Sequence, residues 1–314
     1  EKGMSVDQAG FNQEMDAQRQ RARNASKFGR QNTLDNWIEF SSLSPTEFAG
    51  YQETSLDTQI QRWTLDDQGK VVVQLAKTPF YAESGGQVAD TGIIVSSSFE
   101  IEISEVRKVD DYILHYGTLL KGGIEAKPVR AEINSHRRAN TARNHTATHL
   151  LHKALRQVLG DHVQQKGSYV HPDYLRFDFT HLQAVNHEQL QLVERIVNEA
   201  IRNNLPVDTS IQDIETARKE GAMALFGEKY GEEVRVVKIG VFSSELCGGT
   251  HVRATGDIRF FKVLSESSTA AGIRRIEAIT GSAAESWVES LQETLTRLAN
   301  KLHSPMNNLE AKLE

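Results

Sequence analysis

The sequence predicts an α+β protein with a small β-barrel first, a second α+β unit after it, and helical segments at both ends. Short β-rich runs crowd the stretch from Tyr51 to Ile133 and are separated by turn residues. Apolar residues then recur at helical spacing around 135–159 and 186–203, with strand-like runs between and after them. A 3-4 apolar spacing closes the chain, from Val288 through Leu291, Leu295 and Leu298 to Leu302.

Taken in order, residues 8–29 are polar and rich in Gln, Arg, Glu and Ala, good helix formers with few apolar anchors. A weakly packing helix is expected there. The barrel strands are expected at Ile60–Trp63, Val71–Leu75, Ile93–Val95, Phe99–Val109 and Tyr112–Tyr116. Turns fall at Asp66-Asp67-Gln68-Gly69 and Lys121-Gly122-Gly123. Ser135–Leu159 reads as a helix ending at a left-handed glycine C-cap, Gly160, and puts His145, His149 and His152 on one face. Leu175, Phe177 and Phe179 alternate with Arg176 and Asp178 as in a half-buried strand, and 186–203 reads as an amphipathic helix. Val234–Ile239, Ile258–Leu264 and Ile273–Ile279 supply further strands, with Cys247–His251 in the loop between the first two. Ser282 and Glu285 form a capping-box pattern ahead of the terminal helix, which Pro305 interrupts. The expected units are a helical linker over 1–40, a barrel over 41–128, a core over 129–282 and the start of a coiled-coil-like helix over 283–314.

Composition narrows the function classes. At 314 residues, with 39% hydrophobic and 25% charged, the chain matches ordinary globular usage. No apolar run approaches the ~18 residues of a membrane span, and the polar start lacks the pattern of a signal peptide. A single cysteine, Cys247, excludes an intramolecular disulfide and fits a reducing compartment, so a cytoplasmic location is expected. A net charge of −6 argues against broad non-specific nucleic-acid binding. Local clustering can override that average: Arg130, His136, Arg137, Arg138 and Arg143 crowd one stretch with only Glu132 opposing. Arg137, Arg138 and Arg143 are candidate phosphate contacts, and a plain solvated face is the other reading.

Eleven histidines would give about 0.4 His-x-x-x-His pairs by chance, so His145/His149 alone is weak. The only cysteine also has a histidine four positions on, in Cys247-Gly248-Gly249-Thr250-His251, an event of roughly one in thirty. Together the pairs supply the imidazole and thiolate donors that tetrahedral Zn²⁺ prefers, and one helical turn lets His145 and His149 aim at one ion. The two glycines are expected to let the loop bend tightly around it. Against this stands the reading of satisfied histidines and an inert buried thiol. A metalloprotease is disfavoured, because the Glu of His-Glu-x-x-His is Thr146 here, and no Asp or Glu in these motifs is an obvious general base.

The segments Asn144-His145-Thr146-Ala147-Thr148-His149-Leu150-Leu151-His152, Gln165-Lys166-Gly167-Ser168 and Cys247–His251 resemble the editing domain of alanyl-tRNA synthetase. Glu83-Ser84-Gly85-Gly86-Gln87, followed by Asp90-Thr91-Gly92, resembles the glycine-rich barrel segment shared with free-standing alanyl-tRNA editing proteins; read alone it is a hairpin turn. The resemblance covers most of the chain and implies zinc at His145, His149, Cys247 and His251, with Thr148 and Gln165 lining the catalytic pocket. It also implies substrate or tRNA contacts at Gly85, Gly86 and Gln87. The implied substrate is tRNA(Ala) mischarged with serine or glycine, and the reaction is hydrolysis of its aminoacyl ester. Full-length members carry an upstream aminoacylation domain. No ATP-binding motif of that domain is recognisable here, so an editing fragment without charging activity is expected.

Three other readings are to be weighed. The editing domain of threonyl-tRNA synthetase uses a similar donor pattern, although the barrel and the Ser-Gly-Gly-Gln segment favour alanine. A zinc-stabilised RNA-binding module would use the basic patch without catalysis. The terminal heptads alone would suit an assembly element, with self-association through that helix.

Overall fold

A strand with one apolar face must bury it, and Ser55–Leu65 (β1) turns Leu56, Thr58 and Ile60 inward while Asp57 and Gln59 face outward. The computed structural model describes residues 36–223 and 231–313, with Gly10, Met15 and Leu34 as single positions. The helix expected over 8–29 therefore lies outside the described residues, apart from two positions. β1 is joined by Val71–Leu75 (β2), Gly92–Val95 (β3), Phe99–Val109 (β4), Tyr112–Gly122 (β5) and Pro128–Ile133 (β6). Their order around the ring is β1-β2-β5-β4-β3-β6, every pair antiparallel, and β6 returns to β1. Among the described residues each strand of the ring is paired on both sides, and the short strand Ile38–Glu39 adds an edge beside β1. Val73, Leu75, Phe80, Ile94, Ile101 and Ala131 fill the interior.

Two of the expected barrel features differ. Tyr112–Tyr116 extends to Gly122, so the anticipated turn at 121–123 is the last of a strand. There Gly122, at φ +74°, pairs with Phe99, and a Cβ would fall on the Ser98 carbonyl. The closing strand Pro128–Ile133 was not expected separately, and it spans position 128, where barrel and core were divided.

Ser135–Leu159 (α1) follows directly, and Asn134 caps it by accepting from the Arg137 N–H at 2.9 Å. Gly160 ends it at φ +113°, a positive-φ extended residue and not the expected left-handed one. Gln165–Val170 (β7) and Leu175–Thr180 (β8) pair with Ile273–Thr280 (β13) and Phe261–Ala270 (β12) in the order β7-β8-β13-β12. His187–Arg202 (α2) carries a full Asn186/Gln189 capping box. Leu150, Leu151 and Leu155 of α1, Phe177 and Phe179 of β8 and Val193 and Val197 of α2 form one core. Val207–Asp213 (β9), Glu233–Ile239 (β10) and Ser243–Leu246 (β11) make a three-stranded sheet, with the short helix Ile214–Lys219 (α3) between the first two. Ile258 was expected to open a strand; it closes a 3₁₀ turn, Thr255–Ile258, and the strand starts at Phe261.

The terminal helix Gly281–Leu302 (α4) starts before the expected capping box, which places Ser282 inside it. Thr280 precedes it without capping, because its hydroxyl donates instead to Asn144 Oδ1 of α1 at 2.7 Å. Val288, Leu291, Leu295 and Leu298 are each 44–46% exposed along it. Among the described residues no helix is long and apolar enough to cross a membrane.

Candidate metal centre

Helix α1 presents His145 and His149 one turn apart, with stacked rings whose centroids lie 5.4 Å apart. The loop after β11 brings Cys247 and His251 to the same point. Cys247 Sγ lies 3.3 Å from both His145 Nε2 and His251 Nε2, and one donor atom from each of the four residues falls within 4.8 Å of the others. All four expected ligands therefore converge, and the group could hold a metal ion.

The loop is held from outside. Arg235 on β10 donates from Nη1 to the Cys247 and Gly249 carbonyls at 2.8 and 2.9 Å, and its guanidinium covers the Tyr51 ring at 4.2 Å. Tyr51, next to the barrel, donates its hydroxyl to the Gly248 carbonyl at 2.6 Å. Neither loop glycine has positive φ, so backbone bending is not what requires them. Gly249 is needed for close approach: a Cβ there would lie 2.0 Å from His145 Cε1.

Each histidine has its outer nitrogen fixed by a partner. His145 Nδ1 meets Gln87 Oε1 at 2.7 Å, His149 Nδ1 meets Glu245 Oε2 at 2.8 Å, and His251 Nδ1 meets the Thr146 hydroxyl at 3.1 Å. Such contacts aim Nε2 of each ring at the centre and set its tautomer. His149 Nε2 is buried without a hydrogen-bond partner among the described residues, a donor atom suited to a cation. The donor set of three imidazoles and one thiolate fits tetrahedral Zn²⁺.

Charge points the same way. Burial would keep the Cys247 thiol neutral, yet His145, His251 and His149 bring its pKa well below the usual thiol value. Burial pulls the His149 imidazole down, but Glu245 and Cys247 outweigh it and hold it at about 10. His251 is pushed down to about 3, by burial above all, against the pull of Cys247. Burial opposes ionisation of Glu245, and His149 and His152 overcome it, keeping the carboxyl far below the ordinary range. These directions favour a thiolate at Cys247, the form in which its sulfur serves as a metal donor.

The other expected residues are placed as follows. Gly85 and Gly86 both have positive φ in a two-residue hairpin from Ser84 to Gln87, as a type I′ turn requires, and Gly86 packs on the Ser168 carbonyl. Gln87 is fully buried, and its amide is committed to His145 and to Thr250. Thr148 is buried and donates to the Asn144 carbonyl at 2.8 Å; half-buried Gln165 donates to the Ser168 hydroxyl at 3.2 Å. Arg138 is buried on Asp90 and the Gly50 and Pro79 carbonyls, so it does not face solvent. Arg143 reaches the Asp257 carbonyl at 2.9 Å and Asn140, while Arg137 is half-buried. His152 turns to Phe177 and Glu245, as a helix-face residue outside the donor set.

Glu245, Thr146, Tyr51 and Arg235 were not singled out from the sequence as supports of the site. A carboxylate, Glu245, does stand beside the centre, outside the motifs in which the sequence offered no obvious general base. It accepts from Ser243 as well as holding the candidate donor ring of His149, so it is not free as a base.

A β-barrel joined to a four-donor His/Cys centre defines the class. Residues 234–277 match the family described as the threonyl and alanyl tRNA synthetase second additional domain, and residues 1–137 match class II tRNA synthetases (A). The particular family follows: over its whole length the chain is 49% identical to the alanine–tRNA ligase of Methylococcus capsulatus, which makes it a homologue of the alanine–tRNA ligases. The chain spans 37% of that relative's length.

Proposed function

We propose that this chain carries the editing activity of an alanyl-tRNA synthetase, hydrolysing the aminoacyl ester of tRNA(Ala) mischarged with serine or glycine, with Zn²⁺ held by His145, His149, Cys247 and His251. The observation that carries the reading is the convergence of those four donors, each imidazole backed by its own partner. The 49% identity to an alanine–tRNA ligase supports alanine over the threonyl alternative. A charging pocket for alanine rejects serine and glycine weakly, because a methylene or tolerated hydroxyl is worth about 1–3 kcal/mol, so a second site is needed.

Bound zinc would supply a fixed positive charge that draws the two segments carrying its donors together. The chain's own residues do the rest. Thr148 and Gln165 face the aminoacyl group, and a polar pocket that pairs with the serine hydroxyl is left unsatisfied by alanine. Glu245 keeps the His149 ring oriented, and Gln87 does the same for His145. Four protein donors make a closed set, which favours a zinc that shapes the pocket over one that activates water.

The test is incubation of the pure chain with separately prepared Ser-, Gly- and Ala-tRNA(Ala), with and without a chelator. Release of serine and glycine, slow release of alanine and loss of all three on chelation are expected. Retained tRNA binding without cleavage would replace this reading with a zinc-stabilised RNA-binding module. Full cleavage by metal-free protein would remove the ion from the reaction.

A further inference from the structure

A half-open cleft of about 420 Å³ lies between α1 and the hairpin of β10 and β11, and none of the four candidate metal donors lines it. Lys153, Arg156 and Gln157 stand three and four positions apart on α1 and so share one helix face. Lys238 and Ser244 are cross-strand partners, which puts both side chains on one face of the hairpin. Donors outnumber free acceptors there. The side chains of Lys153, Gln157, Lys238 and Ser244 make no hydrogen bond or ion pair among the described residues. Both carboxylates of the cleft are engaged: Asp161 accepts from Arg156 Nη2 at 2.7 Å, and Glu220 accepts from Gln212 Nε2 at 3.4 Å. Arg156 is occupied as well, its Nη1 donating to the Asp161 and Val163 carbonyls at 2.9 Å each. Ser243 turns its hydroxyl away to Glu245. Three cations thus face two carboxylates in a chain whose formal charge is −6.

What remains is two ammonium groups, an amide and a hydroxyl on facing walls, a set that calls for an anion rich in acceptors. A carboxylate offers two oxygens, whereas a phosphate offers three or more, enough to meet donors from both walls. Lysine suits such a ligand, acting on it as a point charge with three rotatable donors. We propose that this cleft binds a phosphate group, held by Lys153 and Gln157 from the helix and by Lys238 and Ser244 from the hairpin. The same group occurs on free phosphate compounds and along an RNA backbone. The inference stands on the cleft alone, whether or not the metal centre serves ester hydrolysis.

Inorganic phosphate and a short RNA duplex, titrated separately into the zinc-loaded chain and followed by NMR of the lysine ε-methylene groups, test it. Phosphate is expected to move the Lys153 and Lys238 signals together, with an affinity that falls as salt rises. Lys238→Glu, an exposed change, and the milder Lys153→Gln should each weaken binding about fivefold with zinc content unchanged. Lys121→Glu, an exposed change on the barrel, should bind as the parent does. No movement of the Lys153 and Lys238 signals with either probe, or an equal loss in Lys121→Glu, overturns the proposal. A duplex that moves the same two signals and competes with phosphate assigns the group to an RNA backbone. Phosphate binding with no response to the duplex assigns it to a free phosphate compound.

Discussion

Gly249→Ala puts a methyl group where the His145 ring already lies. The added Cβ would sit 2.0 Å from Cε1 and 2.3 Å from Nδ1 of His145, and 2.8 Å from Gln87 Oε1, while an ordinary contact begins near 3.4 Å. Ring or loop must therefore retreat by more than an ångström. Neither is free to do so, since Gln87 pins the ring and Arg235 pins the Cys247 and Gly249 carbonyls. Overpacking of this kind costs about 1–3 kcal/mol in stability. Disturbing a ligand's orientation lowers metal affinity by roughly 10–100-fold. Gly248→Ala is the control, for its Cβ would meet only the Tyr51 hydroxyl at 4.0 Å and its φ is unremarkable for a side chain. Zinc affinity measured against a competing chromophoric chelator, alongside urea unfolding, reads both effects. Parent-like zinc affinity in Gly249→Ala, or an equal loss in Gly248→Ala, would refute the close-approach argument.

Glu245→Gln should lower zinc affinity by about 10–100-fold with the fold retained, and the same chelator competition checks it; an unchanged affinity would deny the carboxylate its hold on His149. Arg138→Ala should destabilise the protein by about 3–5 kcal/mol in urea unfolding by leaving Asp90 buried and unpaired, and Arg138→Ala/Asp90→Ala together should cost less than the sum. His115 gives a pH prediction: burial pushes it down to about 4, against the Val73 carbonyl, which raises it. The unfolded chain then takes up a proton near pH 6.5 that the folded barrel refuses, so stability present above pH 6.5 is lost as pH falls toward 4, by about 3 kcal/mol. Unfolding curves for the parent and His115→Gln across that range should differ in slope, and parallel curves would exclude the residue.

The four donors were legible because each pair is local, four positions apart, and one pair includes the only cysteine. What fixes them was not. Gln87 meets Thr250 across 163 positions and Tyr51 meets Gly248 across 197, contacts that no local pattern encodes. Glu245, two residues before Cys247, was the readable clue that a carboxylate would stand close by. Arg138 looked like part of a basic surface because its partner Asp90 lies 48 positions away. Among the strands, Val207–Asp213 escaped notice because all but Val207 and Gln212 are exposed, so its sequence carries no apolar alternation. The helices at 135–159 and 187–202 were read closely because their apolar residues recur at helical spacing on the face that is buried.

Gln87 sits just after a barrel turn, yet its amide ends at His145. A truncated chain beginning at α1 would keep every donor and lose the brace behind one imidazole, together with the tether from Tyr51 to the cysteine loop. The smallest portion that fixes all four donors is therefore larger than the portion that supplies them, and tilting the barrel would misalign the His145 ring.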